Sequence, residues 1–336
     1  MKAVVPAAGE GTRLYPQTHT RPKPMVRVAG KPVLGHILDE LVESPVEEVV
    51  VVVGVMREAV VDYVEANYGD TLETRFVEQN RAEGLGHAVY QTHPVVEDEP
   101  LLIALGDMLF ERGYTHHLQV HRELGDVDGS IGVKRVEDPS SYGVVGLSGD
   151  CVVDLEEKPD DPPSDLAISG VYVIEDSGRL FDALAHLIEH DLRGAGDEYQ
   201  LTDALGLMVE EGADFGTFEV EDWYDCGRPE TLLAANQTLL ERGNSDASAS
   251  IYGGSSVVLP PADIGEDVTI ENSAVGPYVS IDDGAEIVDS HVSNAIVGQS
   301  AALRGVNLDH SLVGDDATVT GTPNELNVGD SSDVRL

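Results

Sequence analysis

The sequence predicts two folds in series: an α/β domain with helices on both faces of its sheet, then a β-helix of short strands. Three observations predict this. From residue 1 to about 235, strand-like and helix-like segments alternate, as they do when a sheet is built through crossover helices. A polar stretch, Gly-Asn-Ser-Asp-Ala-Ser-Ala-Ser from Gly243 to Ser250, then breaks the pattern. Beyond it the helical signal disappears and apolar residues recur every five or six positions.

The elements follow in chain order. Ala3-Val4-Val5 is a short apolar strand at the start. Ile37, Leu38, Leu41 and Val42 fall at helical spacing. Glu47 to Gly54 contains five consecutive valines, Val49 to Val53, and reads as a strand buried on both faces. Val60, Val61 and Val64 return to helical spacing. Leu101 to Leu105 is a further strand, ending at Gly106-Asp107. Open sheets of this kind bind ligands at the carboxyl ends of their strands. The residues after Val5 and those after Leu105 can therefore share one crevice.

In the last third the recurring residues are Ile264, Ile270, Val275, Ile281, Ile287, Val292, Val297, Leu303, Leu308, Val313 and Val319. Gly265, Gly276, Gly298 and Gly314 directly follow four of them. A period near six with small residues between reads as a β-helix, with roughly four coils in the available length. A twisted β-sandwich with strands of similar spacing is the alternative. The expected organisation is an α/β domain over 1–242, a linker over 243–256, the β-helix over 257–322 and a polar tail over 323–336.

Composition excludes several classes of function. The chain of 336 residues carries 62 acidic against 20 basic side chains, a net charge of −42. A nucleic-acid binder needs the opposite balance. No apolar run approaches the roughly 18 residues of a membrane helix. Met1-Lys2 leads straight into a strand, so no secretory leader is expected and the expected location is cytoplasmic. The acid is spread along the chain and lysine is scarce, with only Lys2, Lys23, Lys31, Lys134 and Lys158. That balance suits a salt-rich cytoplasm, where a Debye length of about 3 Å or less screens self-repulsion. An acidic protein with acidic partners is the other reading. Cys151 and Cys226 are the only cysteines, which fits a reducing compartment and no zinc motif.

The most informative motif is Ala7-Ala8-Gly9-Glu10-Gly11-Thr12-Arg13-Leu14-Tyr15-Pro16, continued by Arg21-Pro22-Lys23-Pro24-Met25. Gly9 and Gly11 let the backbone turn tightly and offer bare N–H groups to an anion. Arg13 and Lys23 add cations, and the prolines around Lys23 stiffen its loop. The two commonest phosphate motifs fit poorly. A P-loop ends in Gly-Lys-Ser/Thr, whereas Gly11 precedes Thr12-Arg13; a Rossmann fingerprint needs a third glycine where Leu14 stands. The extended pattern, some nineteen positions, closely resembles the signature of sugar-1-phosphate nucleotidylyltransferases. Within that family it is most similar to long-type glucose-1-phosphate thymidylyltransferases and the related uridylyltransferases.

The resemblance implies a Rossmann-like, mixed but mostly parallel sheet and a left-handed hexapeptide β-helix. It implies transfer of a nucleotidyl group from dTTP or UTP to glucose 1-phosphate, with release of pyrophosphate. Both reactants are anions, so a divalent metal and several cations are expected, and no covalent nucleophile. The implied cofactor is magnesium, held by Asp107 of Leu105-Gly106-Asp107-Met108 and Asp225 of Trp223-Tyr224-Asp225-Cys226-Gly227. Arg13, Lys23 and Lys158 are the expected catalytic cations. Ala8, Gly9, Gly11, Thr12, Arg13, Asp107, Gln79 and Gly84 are expected at the nucleotide. Gln79 is placed at a pyrimidine edge, because an amide both donates and accepts. Gly143, Glu157, Lys158, Gly170 and Glu198 are expected at the sugar phosphate, although Glu198 also suits a helix N-terminus. His87 reads as a packing residue at a helix start. The expected partners are the two substrates and further copies of the chain.

Departures keep other substrates open. Met108 stands where asparagine is common in the thymidylyl group, and Glu78-Gln79 with Gly86-His87-Ala88 is also similar to N-acetylglucosamine-1-phosphate uridylyltransferases. N-acetylglucosamine 1-phosphate with UTP, or mannose 1-phosphate with GTP, are the alternatives within the class. An acetylating activity in the β-helix would draw on His291 or His310, but Arg304 alone would meet coenzyme A. A silent sugar-nucleotide sensor would be expected to lack the cations and metal aspartates that this sequence keeps.

Overall fold

The computed structural model describes residues 1–9, 11–221, 223–243, 250–252 and 254–322. The expected tail over 323–336, and residues 244–249 and 253 of the expected linker, lie outside the described residues. The chain divides into two compact units, one of residues 1–26 and 31–232, the other of residues 27–30 and 233–336. The division thus falls ten residues before the boundary expected at 242, inside the helix Pro229–Gly243.

The first unit is built on a nine-stranded mixed sheet. Four neighbouring strands are parallel, in the order Leu101–Ala104, Lys2–Pro6, Glu48–Val53, Glu73–Glu78, the last at the sheet edge. The valine run is buried at every position, as its continuous apolar character requires. Val50 and Val52 pack on one face with Val4, Ile103, Phe181 and Leu201. Val49 and Val51 point the other way and are equally inaccessible, so both faces are covered. Helices Val33–Val42 and Arg57–Tyr68 lie at the helical spacings read from sequence, though Val42 itself is exposed. On the far side, Leu166–Ile174 joins Leu101–Ala104 antiparallel, and Gly129–Arg135 and Gly143–Ser148 pair with it. No described helix is long and apolar enough to cross a membrane.

The second unit carries the repeat. Three parallel sheets wind through four coils, consistent with a left-handed β-helix. Register advances by 16 or 17 residues a coil: Val257 to Ala274, then His291, then Asn307. The apolar positions stack in three columns, Ile264-Ile281-Val297-Val313, Ile270-Ile287-Leu303-Val319 and Val275-Val292-Leu308. They form one core. Ser256, Ser273 and Ser290 repeat at one corner, and each hydroxyl accepts the backbone N–H of the residue one coil on, at 3.0–3.1 Å. Buried corner amides are thereby satisfied. Part of the expected linker is itself a strand, Ser250–Tyr252, antiparallel to Ser256–Val258. Asn236, on the helix Pro229–Gly243 and fully buried, accepts from the Ser280 hydroxyl at 2.6 Å and the Ala29 amide at 2.9 Å.

Candidate active site

The carboxyl ends of three of the four parallel strands open onto one cavity of about 660 Å³ in the first unit. Ala8 and Gly9 follow the first strand, Gly106 and Asp107 follow Leu101–Ala104, and Gln79 follows Glu73–Glu78. A second cavity of about 170 Å³ adjoins it and shares Arg13, Lys23, Asp107, Glu157 and Gln200. Every substrate, metal and catalytic residue named from the sequence lines one or both. Ala8, Gly9, Gly11, Thr12, Gln79, Gly84, Lys158 and Glu198 border the larger; Gly143, Gly170 and Asp225 border the smaller.

Gly11 has φ +66°, and a Cβ there would stand 2.8 Å from Thr18 Cγ2 and 2.9 Å from Lys23 Cβ. Only glycine suits that turn. The Thr18 hydroxyl closes it by donating to the Gly11 carbonyl at 2.7 Å. Thr12–Leu14 forms a single 3-10 turn, so Arg13 stands at the rim while Leu14 is buried beneath it.

Asp107 and Asp225 are brought together by a two-stranded ribbon, Met108–Phe110 against Trp223–Asp225, in which Asp225 lies opposite Met108. The Cys226 amide donates to the Asp107 carbonyl at 2.9 Å and locks the register. Lys23 Nζ lies between the two carboxylates. It donates to Asp107 Oδ2, and Asp225 Oδ1 is 3.6 Å away. Burial pushes this amine down, but the two carboxylates outweigh it and hold it above its ordinary value; Arg13 opposes them. Two converging carboxylates, each about a quarter exposed, thus already hold a cation between them. Among the described residues no cluster of three or more His, Cys, Asp or Glu could hold a metal. Two carboxylates are nonetheless what magnesium takes from a protein when phosphate oxygens and waters complete its shell. The donor set fits that ion.

The other end of the site is organised by Glu157 and Lys158. Lys158 has φ +47° where the strand Cys151–Glu157 ends, and its amide donates to the Tyr142 carbonyl at 2.9 Å. Its Nζ meets Glu157 Oε1 at 3.0 Å. Glu157 Oε2 accepts from the Thr202 hydroxyl at 2.7 Å, which fixes the carboxylate in the smaller cavity. Thr202, Gln200 and Trp223 line that cavity without having been singled out from the sequence. Trp223 packs against Tyr142 with ring centroids 5.2 Å apart. The aromatic pair joins segments far apart in sequence, so no local signal marks it.

Gly84 has φ +108°, and a Cβ there would stand 2.9 Å from Glu198 Cβ. Two hydrogen bonds clamp this turn to the Glu198 segment: Tyr199 N–H to the Glu83 carbonyl at 2.9 Å and Gly86 N–H to the Tyr199 carbonyl at 2.8 Å. Arg193 ties the same segments, meeting Glu83 at 3.2 Å and the Tyr199 hydroxyl at 3.0 Å.

The profile of the family described as "Nucleotidyl transferase" matches residues 2–242, the part of the chain that builds both cavities. The chain belongs to the nucleotidyl transferase family. Among curated members, a glucose-1-phosphate thymidylyltransferase of Streptomyces antibioticus is 33% identical over all of this chain and 99% of its own. The low-salt glycan biosynthesis nucleotidyltransferase Agl11 of Haloferax volcanii is 32% identical over the full length of both. Among solved structures, a UDP-glucose pyrophosphorylase complexed with UDP-glucose superposes with TM-score 0.62 at 26% identity, covering 72% of this chain and 98% of that one. Nucleotidyl transfer to a sugar 1-phosphate is the chemistry these comparisons support.

Proposed function

We propose that the protein transfers the nucleotidyl group of dTTP or UTP to glucose 1-phosphate, with magnesium, releasing pyrophosphate. The observation that carries this reading is the pair of adjoining cavities: a glycine loop with Arg13 and Lys23 on one side, Lys158 and Glu157 on the other, and Asp107 with Asp225 between. The larger volume suits a nucleotide together with the sugar's phosphate beside Lys158, and the smaller a hexose ring. Glucose 1-phosphate and a pyrimidine nucleotide are favoured because the Streptomyces relative is a glucose-1-phosphate thymidylyltransferase and the solved neighbour a UDP-glucose pyrophosphorylase.

The reaction needs two polyanions held in line, and little covalent help from the protein. Amides of the Gly9–Thr12 loop and the Arg13 guanidinium would bind the triphosphate. Lys158 would hold the sugar phosphate, and Glu157, steadied by Thr202, would accept from a sugar hydroxyl. A phosphate oxygen of the sugar, ionised at neutral pH, attacks the α-phosphorus and pyrophosphate leaves, so no general base is required. Asp107 and Asp225 would hold magnesium, which when bound supplies positive charge to phosphate oxygens. Lys23, beside both, neutralises charge on the same phosphates.

The deciding assay is pyrophosphate release with magnesium in concentrated KCl. Glucose 1-phosphate is offered with dTTP, UTP, GTP, CTP and ATP, then each good nucleotide with other sugar phosphates. Turnover with dTTP or UTP is expected. Preference for GTP with mannose 1-phosphate would keep the mechanism and overturn the substrates. Silence across the panel, with nucleotide still bound, would favour a sensor.

A further inference from the structure

The nucleotide cavity contains an amide whose two faces would recognise opposite hydrogen-bonding edges, and the fold holds it in one of them. Gln79 Nε2 lies 3.1 Å from the Gly84 carbonyl and 3.0 Å from His87 Nδ1. A carbonyl oxygen can only accept, so the nitrogen must be on this side. Its two protons are then both committed, one to Gly84 and one to His87. No described residue donates to the remaining atom, Oε1, and Gln79 lines the cavity.

The arrangement makes a demand on His87. Its Nδ1 must be a bare acceptor, which puts the single proton of a neutral ring on Nε2. On that side Glu83 Oε2 stands at 3.5 Å as the acceptor for this proton, while the Gln91 nitrogen, 3.1 Å from the ring, donates to the His87 carbonyl at 3.3 Å. The surroundings keep the ring neutral: burial lowers its affinity for a second proton, Glu83 opposes that, and Arg193 and Arg81 add to it. Tyr199 packs on the ring at 6.3 Å. His87 is therefore more than filler at the start of the helix Leu85–Tyr90.

We propose that His87 is a positioning residue that makes the Gln79 side chain acceptor-only toward the nucleotide, and so selects a base with an N–H at its pairing edge, uracil or thymine, over cytosine. A free amide serves both kinds of edge by turning over. A locked one meets the N3–H of uracil or thymine but faces the bare N3 lone pair of cytosine in the same register. The inference rests on the proposed placement of a pyrimidine at Gln79.

The test compares UTP and dTTP with CTP and dCTP in the full-length protein, by kcat/KM with glucose 1-phosphate and by calorimetric binding. His87→Phe removes the acceptor and keeps the ring volume, with His87→Leu in reserve if it does not fold; His87→Asn keeps an acceptor at the Nδ1 position. The wild type is expected to prefer uracil and thymine nucleotides. His87→Phe should narrow that preference by about tenfold, the size expected for one lost hydrogen-bond discrimination, and His87→Asn should restore it. An equal loss on all four nucleotides, with the ratio unchanged, would reduce His87 to packing and overturn the proposal. A wild type that binds purines instead would overturn the placement of the base at Gln79, and with it the inference.

Discussion

At the scale of single residues the site is a matter of unlike charges at close range. Lys23 was legible as a phosphate cation because prolines flank it and lysine is rare in this chain. Its position between Asp107 and Asp225 was not, since 118 residues separate the two acids and only the ribbon register joins them. Asp107→Asn and Asp225→Asn should each lower the magnesium-dependent rate by about 10²-fold or more, with the melting temperature little changed. Near-normal turnover in both would remove them from the metal site. Lys158→Ala should raise KM for the sugar phosphate more than KM for the nucleotide; an equal rise in both would place Lys158 elsewhere. The sequence marked Glu157 and Lys158 by their local run, whereas the Thr202 hydroxyl that orients Glu157 carries no such mark.

At the scale of elements, three of the four parallel strands were readable from continuous apolar runs. Glu73–Glu78, which mixes charged and apolar residues, was not, and one helix shows further where that reading stops. Tyr114, His117, Leu118 and His121 are the buried face of Tyr114–Glu123, at perfect helical spacing. Two of the four are histidines, so an apolar pattern does not register. His117 lies flat against Phe218, ring centroids 5.5 Å apart, and edge-on to Phe110 at 5.2 Å. Only 2% of it is exposed and its Nδ1 has no hydrogen-bond partner among the described residues. Burial, with His116 beside it, pushes its pKa down to about 4. The unfolded chain takes up this proton near pH 6.5 and the folded one only near 4, so stability is full above 6.5 and falls with pH across that window. The loss from this one group approaches about 3 kcal/mol. His117→Phe should flatten urea-unfolding stability between pH 6.5 and 4, and an unchanged slope would assign the acid sensitivity elsewhere.

At the scale of the whole molecule, a net charge of −42 on 336 residues acts on every part of the chain and shows in no single contact. Unscreened, such charge works against any compact state. Raising KCl from 0.1 M to 2 M should raise the melting temperature by on the order of 10 °C, as self-repulsion is screened. A salt-independent melting temperature would leave the acidity without a stabilising medium to explain it. The two-part architecture was legible because each part has its own period: alternating strand and helix first, then steps of five and six. The place of division was less so, because the helix Pro229–Gly243 runs through it without any break in pattern.

The register of 16 or 17 residues has a consequence of its own: in the β-helix, length comes in quanta. Excising His291–Val306 would lay Leu308 on Val275, Val313 on Ile281 and Val319 on Ile287, the same three columns one storey lower. Excising six residues instead would send each later strand to the wrong wall of the prism and its apolar side chains with it. Insertions and deletions in this half of the chain should therefore be tolerated as whole storeys and rejected as fractions, much as a spiral stair can lose a full turn but not a third of one.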